Sequence, residues 1–196
     1  MQPPVYLASA SPRRRELLQQ LGVACVVCPA DVDESSRRGE RPEEYVRRVA
    51  VDKAQAVAAS VAEPAALVLA ADTAVVQDGK IFGKPTDRAD ALQMLAALSG
   101  ATHEVFSGVA VVSGTDCRHA VSRSAVRFRA ISPGEAGAYW HTGEPADKAG
   151  AYAIQGLGAM FVEALQGSYS GVMGLPLFDT ARLLESFGYR LLGNET

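Results

Sequence analysis

Cysteine is scarce in this chain, with three in 196 residues, and aromatic side chains make up only 7%. A low, odd cysteine count excludes a disulfide-stapled scaffold and suits a reducing compartment. Cys25 and Cys28 have C-x-x-C spacing, but the run 23–28 reads as a strand, and strand alternation sends residues three apart to opposite faces. A redox pair needs a helix start, and a zinc site needs two more ligands where only the scattered His103, His119 and His141 are on offer. These thiols are therefore expected to pack. No apolar run approaches the roughly 18 residues of a membrane span. The chain enters a strand at once, without the charged start and apolar core of a signal peptide. The expected setting is cytoplasmic, with no membrane partner. A basic excess is missing too: 19 Lys and Arg face 22 Asp and Glu, for a net charge of −3. That argues against nucleic acid as a partner. No G-x-x-x-x-G-K-S/T is present, which excludes a Walker-type NTPase, and no G-x-G-x-x-G follows a strand to make a dinucleotide site. Neither an internal repeat nor a low-complexity segment is visible.

What is present is an ordinary globular composition, 48% hydrophobic and 21% charged. The length suits one domain over residues 1–196, with room for two lobes. Elements alternate in mixed α/β order. A strand at 5–8 leads to Ser11 as an N-cap, Pro12 at the first helical position and Gly22 as the C-terminal glycine. After the strand at 23–28 and a polar loop, Pro42 opens a helix to about Ala62. The apolar run 67–71 reads as a strand buried on both faces. Asp78-Gly79 predicts a two-residue hairpin between 74–77 and 80–82. Thr86 is expected to cap a helix through Leu98, followed by strands at about 102–113 and 118–129. Ser132-Pro133-Gly134-Glu135 is a capping box for a helix to about Thr142. A glycine-rich loop over 143–158, a strand at 160–163 and a helix opened by Leu175-Pro176 complete the series. The charged tail 193–196 is expected to fray.

Chemistry concentrates at a few positions. Ser9-Ala10-Ser11-Pro12-Arg13-Arg14-Arg15 places three arginines in the first turn of a helix, the wrong end of its dipole for cations. A bound polyanion would reverse that sign, because free N–H groups, hydroxyls and guanidinium forks would all face it. The alternative is a solvated basic turn. Asp72 directly follows the apolar run, a strand-end location where ligands bind in α/β folds, and it suits a general base or a metal ligand. A turn-forming aspartate is the plainer reading. Lys53 falls in the middle of the apolar stripe Val46, Val49, Ala50, Val57, Val61, while Arg47 and Arg48 fall off it. A buried ammonium requires an anionic partner; otherwise its stem packs and its head reaches water. Asp33-Glu34 offers two adjacent loop carboxylates. Lys84 sits in a turn fixed by Gly83 and Pro85. Gln155, in a loop of small residues, offers the paired donor and acceptor that read a base edge, or it satisfies its own loop. Together these suggest a site for a nucleoside triphosphate and a divalent metal.

In these motifs the chain resembles the Maf family of nucleoside triphosphate pyrophosphatases. The resemblance rests on Leu7-Ala8-Ser9-Ala10-Ser11-Pro12-Arg13-Arg14, Asp33-Glu34-Ser35, the segment from Arg48 to Lys53-Ala54, Ala71-Asp72-Thr73 and Gly83-Lys84-Pro85. It continues through Gly143-Glu144-Pro145, Asp147-Lys148-Ala149-Gly150-Ala151-Tyr152 and Gly174-Leu175-Pro176-Leu177, in family order over nearly the whole chain. It implies an α/β fold with a bent mixed β-sheet flanked by helices, in two lobes with a cleft, as in inosine-triphosphate pyrophosphatases. It implies hydrolysis to the monophosphate and pyrophosphate with Mg²⁺ or Mn²⁺. By position, Asp72 matches the family's proton acceptor, and Ser9, Arg13, Arg14, Glu34, Lys53 and Lys84 match its cleft residues, with Glu34 and Asp72 as the expected metal ligands. Arg15 matches no specific role. Because the family's members are often dimers and are associated with inhibition of septum formation, a homodimer and a division-machinery link are expected partners.

Three positions separate the family's branches. Arg13, Thr73 and Gln155 are what the branch similar to dTTP/UTP pyrophosphatases carries, whereas the 7-methyl-GTP branch has an aromatic, a Gln and a Glu. Two departures stand out: Ala153 replaces a usual Gly, and Gly171 a common Asn. Ala153 lies two residues from Gln155, so relaxed base choice among pyrimidines stays open. The rival readings are a nucleotide- or partner-binding regulator without turnover, and a different phosphohydrolase specificity on the same fold. The intact acidic and cationic set speaks against the first, and the three branch positions against the second.

Overall fold

In the computed structural model, which describes residues 2–192, the chain begins as a parallel β-α-β-α-β unit. Strand β1 (Val5–Leu7) pairs in parallel with both β2 (Cys25–Val27) and β3 (Leu67–Gln77). Parallel neighbours need crossovers, and α1 (Pro12–Gln20) and α2 (Pro42–Ala58) supply them, each with proline in its first turn, where a missing N–H costs nothing. The chain continues through β4 (Lys80–Phe82), α3 (Arg88–Leu98), β5 (Thr102–Ser113), β6 (Asp116–Phe128) and α4 (Pro133–His141). Three 3-10 turns lie within 144–161, followed by β7 (Val162–Gln166), α5 (Tyr169–Met173) and α6 (Leu177–Ser186). The seven strands make one mixed sheet in the order β2-β1-β3-β5-β6-β7, with β4 antiparallel on β3. The mixed α/β class expected from the sequence is the one observed.

Two compact units share the chain, and β3, β5 and β6 run through both. The first takes residues up to 72, 107–122 and from 174 onward. Its α2 packs through Ala50, Ala54 and Val57 on Ala8, on Val68 and Ala70 of β3, and on Ala110 and Val112 of β5. This small-residue interface lets helix and sheet approach closely. Gly108 permits the same approach, since a Cβ there would run into the backbone of Val46. Cys28 and Cys117 pack against this core, and all three cysteines are free thiols. The second unit, 73–106 and 123–173, is built around Leu95, Leu98, Val105, Phe128, Tyr139, Tyr152 and Phe161. Among the described residues, no helix is long and apolar enough to cross a membrane.

Local signals translate well where the backbone decides. Asp78 and Gly79 take φ of 50° and 77°, the left-handed pair that a tight hairpin needs, and Gln77 faces Lys80 across it. Ser132 and Glu135 form the expected capping box, with Ser132 Oγ accepting from Glu135 N and Glu135 Oε2 from Ser132 N. Four expectations need correction. The strand at 67–71 does not end before Asp72: β3 runs unbroken to Gln77, because the carboxylate is neutralised by a lysine inside the fold and needs no solvent-facing turn. Helix α2 stops at Ala58, where Ser60 folds its N–H and hydroxyl back onto the Val57 carbonyl. Asp87, not Thr86, caps α3, accepting from Asp90 N at 2.8 Å, while Thr86 bonds the Asp90 carboxylate. The strand expected at 160–163 starts at Val162, because 157–161 winds into a 3-10 turn. The short α5 is an element that the sequence pattern does not announce, and the tail at 193–196 lies outside the described residues.

Candidate active site

The first unit gathers the charged residues. Along β3, Val68 and Ala70 face α2, and strand alternation puts Asp72 on the same side. Opposite it on α2, Lys53 occupies the apolar stripe as its periodicity requires. Both are buried, with 6% and 5% of the Lys53 and Asp72 surfaces exposed. Lys53 Nζ donates to Asp72 Oδ1 at 2.9 Å and contacts Glu34 Oε1 at 2.9 Å. The oddly placed lysine thus bridges two carboxylates instead of reaching for water. Burial raises the Asp72 pKa above the usual carboxylate value, against the opposing pull of Lys53 and Arg14. The second oxygen, Asp72 Oδ2, is buried and accepts no hydrogen bond from the described residues.

Of the two adjacent loop acids, only Glu34 reaches Lys53. Asp33 turns back on its own loop, where its Oδ1 accepts from the backbone N and the hydroxyl of Ser35 at 2.9 and 2.6 Å. Those Ser35 bonds hold the Asp33 carboxyl below its usual range. The loop carrying Glu34 is pinned by α2. Tyr45 Oη donates to the Glu34 carbonyl at 2.9 Å, and Arg48 donates to the Ser35 carbonyl while pairing with both oxygens of Glu40. Tyr45 escapes a reading of the sequence; its location in the first turn of the helix that carries Lys53 is the available signal.

At the start of α1, Ser11 occupies the N-cap without a side-chain cap bond. Instead Ser9 Oγ accepts from Ser11 N and from Arg14 Nη1, both at 3.2 Å. Arg14 Nε donates to the Gly174 carbonyl at 2.9 Å, so the segment before α6 also fixes this guanidinium. Burial lowers the Arg14 pKa, and the negative charges of Asp72 and Glu34 counter it. Arg13 is half-buried on the same turn and Arg15 is exposed. Ser9, Arg14, Glu34, Lys53 and Asp72 therefore form one electrostatic cluster.

The remaining expected residues belong to the second unit. Thr73 follows Asp72 on β3 with the opposite strand parity and is half-buried. Lys84 is exposed in the turn after β4, where the neighbouring Gly83 carbonyl accepts from Gly150 N at 3.0 Å. Gln155 is exposed at a loop tip, flanked by the buried run Ala151, Tyr152, Ala153, Ile154. Ala151 holds a left-handed φ of 57°, whereas Ala153 does not, so alanine in place of the family's usual glycine at 153 adds no backbone strain. Gly171 N donates to Ser168 Oγ at the start of α5.

Glu34 and Asp72 are the carboxylates that suit a hard divalent cation, and the partnerless Asp72 Oδ2 has lone pairs available for it. Among the described residues, no group of three or more His, Cys, Asp or Glu is assembled for a metal. Carboxylate oxygens are the donors that hard divalent ions such as Mg²⁺ take, and these ions keep several waters.

A sequence profile described as Maf-like protein matches residues 4–187. A dTTP/UTP pyrophosphatase of Methylococcus capsulatus is 58% identical over 185 residues, covering 94% of this chain and 91% of that protein. Another, from Methylobacillus flagellatus, is 51% identical over 191 residues, covering 97% and 96%. Among solved structures, the Staphylococcus aureus Ham1 protein aligns with a TM-score of 0.47 and 14% identity, over 64% of this chain and 71% of that chain.

Proposed function

We propose, for a chain that belongs to the Maf-like protein family, that it is a nucleoside triphosphate pyrophosphatase hydrolysing dTTP and UTP to the monophosphate and pyrophosphate. The observation that carries the chemistry is buried Lys53 holding two carboxylates, one of which keeps an unpartnered oxygen. The proposed base choice follows relatives that are dTTP/UTP pyrophosphatases at 58% and 51% identity, together with Arg13, Thr73 and Gln155.

The proposed mechanism draws on the cluster. Asp72 takes the proton of the attacking water as the anhydride between the α- and β-phosphates opens and pyrophosphate leaves. A base serves best when its pKa lies near the working pH, and burial moves Asp72 in that direction. Lys53 orients the carboxylate through Oδ1 and leaves Oδ2 for the water or the metal. Arg13, Arg14 and Lys53 offset charge that builds on the phosphoryl oxygens, and such electrostatic stabilisation is the main source of rate enhancement in phosphoryl transfer; a like role for Lys84 carries over from the resemblance alone. Ser9 keeps Arg14 aligned. Glu34 and Asp72 would hold Mg²⁺ or Mn²⁺, which supplies charge neutralisation at the phosphates. Thr73 and Gln155 select the pyrimidine. The free thiols are consistent with a cytoplasmic setting. A homodimer and a division-machinery link carry over from the resemblance alone, and light scattering tests the first.

The experiment is pyrophosphate release with Mg²⁺ or Mn²⁺ from dTTP, UTP, CTP, GTP, ITP and 7-methyl-GTP, run beside Asp72→Asn. Release from dTTP and UTP that the variant abolishes is the expected result. Release from 7-methyl-GTP alone overturns the use of Arg13, Thr73 and Gln155. Tight nucleotide binding without turnover replaces the enzyme with a regulator. Chelation of the divalent ion is expected to stop the reaction.

A further inference from the structure

We propose that Tyr139 and Glu144 are positioning residues that clamp the Gln155 loop and so set the selectivity for the base, an inference that rests on Gln155 reading the pyrimidine. The loop tip is gripped on both sides by this one pair. Glu144 Oε1 accepts from Tyr139 Oη at 2.5 Å and from Gly158 N at 3.0 Å, and Glu144 Oε2 accepts from Leu157 N at 2.9 Å. Tyr139 Oη in turn accepts from Ala153 N at 3.1 Å. The backbone is therefore tied two residues before Gln155 and two and three residues after it. Both ends of the tie lie well before the tip in sequence: Tyr139 comes from α4, with its ring edge against Phe161 at 5.2 Å between centroids, and Glu144 from the 3-10 turn that opens the loop.

The glycines beside Gln155 fit the same device. A Cβ at Gly156 would run into the Glu144 carboxylate, and one at Gly158 would lie 2.6 Å from Tyr139 Oη and 2.7 Å from the Ala153 carbonyl. The loop is thus pressed onto the pair closely enough that only hydrogen fits. Burial works to raise the Glu144 carboxyl, but its bonds from Tyr139, Gly158 and Leu157 outweigh this and hold it below its usual range. The group is an ionised, acceptor-only hub for three donors. A side-chain amide that selects a base by paired donor and acceptor must be aimed to within a fraction of an ångström, and an exposed glutamine on an untied glycine-rich loop would not be.

Tyr139→Phe removes the hydroxyl, and with it the bonds to Glu144 and Ala153, while keeping the ring on Phe161. Glu144→Gln keeps the shape but turns one acceptor into a donor facing an N–H. The kcat/KM ratio of UTP over CTP is measured for both variants, with hydrogen exchange at the amides of 153, 157 and 158 and with Gln155→Ala alongside. The expected result is faster exchange at those amides and a selectivity ratio reduced on the order of tenfold, the effect of one to two lost hydrogen bonds. That loss should appear in the KM for UTP with kcat nearly unchanged, as for binding lost equally from ground and transition states. A lower unfolding midpoint with an unchanged ratio makes the pair merely structural and overturns the proposal. If Gln155→Ala lowers the ratio and the clamp variants do not, the clamp alone fails. If Gln155→Ala leaves the ratio intact, the assignment of Gln155 fails and takes the clamp with it.

Discussion

The two units handle polarity in opposite ways. In the first, an ion pair is buried: Lys53 meets Asp72 inside the fold and reaches out to Glu34, whose side chain stays 49% exposed, and Arg14 is tied to Ser9 and the Gly174 carbonyl. In the second, the comparable effort goes into backbone amides, with Glu144 and Tyr139 collecting the N–H groups of 153, 157 and 158. Buried charge is costly and serves where charge must be met, as on a polyphosphate. A web of hydrogen bonds to backbone is cheaper and serves where shape must be held for a neutral base. On the proposed assignment the first unit carries the reaction and the second the recognition, and substitutions in each should fail in different ways.

The largest effect is expected at Asp72. Asp72→Asn removes the proposed proton acceptor and should reduce turnover by about 10²–10⁴-fold while the protein stays folded, as read by pyrophosphate release beside circular dichroism. Lys53→Met tests the cost of the buried charge itself. It leaves Asp72 unpaired at 5% exposure, and removing one partner of a buried pair costs about 3–5 kcal/mol. Denaturant unfolding checks it, and pairing it with Asp72→Asn should recover part of the loss. Were Lys53→Met no more damaging than Tyr139→Phe, the contrast between the units would collapse.

The second unit has a titratable histidine in its core. His103 is 1% exposed, stacked edge-on against Phe128 and Tyr152, with Nε2 2.9 Å from Tyr152 Oη. Burial lowers its pKa from 6.5 to about 4. In that window the unfolded chain binds the proton that the folded chain refuses. Stability is therefore complete above pH 6.5, falls as the pH drops, and the loss levels off below the folded value near 4. The loss should reach on the order of 3 kcal/mol. Unfolding midpoints measured between those limits should fall for the parent chain and fall less for His103→Gln. The smallest effect belongs to a helix end: Asp87→Ala should cost about 1 kcal/mol, and Thr86→Ala less, because Asp87 is the group that caps α3. Equal costs would return the cap to Thr86.

Residues whose meaning lies in local periodicity or turn chemistry are legible in the sequence itself. The placement of Lys53 in the apolar stripe of α2, the Asp78-Gly79 hairpin and the Ser132–Glu135 box all follow from the spacing of near neighbours. Asp72 is legible as a chemical group but not as a location. The run after it looks like a new strand because an aspartate inside a buried strand is implausible until its counter-ion is known. That counter-ion lies 19 residues away on another element. The grip of Tyr139 and Glu144 on the loop, spanning 14 residues, leaves no local trace for the same reason.

By itself, then, the chain determined its alternation of strands and helices, the side of α2 that faces inward and the chemical types available for a triphosphate. These depend on backbone geometry and on the separation of apolar from polar positions, which are properties of neighbouring residues. Only the tertiary structure decided which carboxylates Lys53 holds, that Asp33 turns away while Glu34 engages, and which oxygen of Asp72 stays without a partner. Those outcomes depend on distances between elements, set by the close packing of α2 on β3 and β5, and no spacing along the chain encodes them.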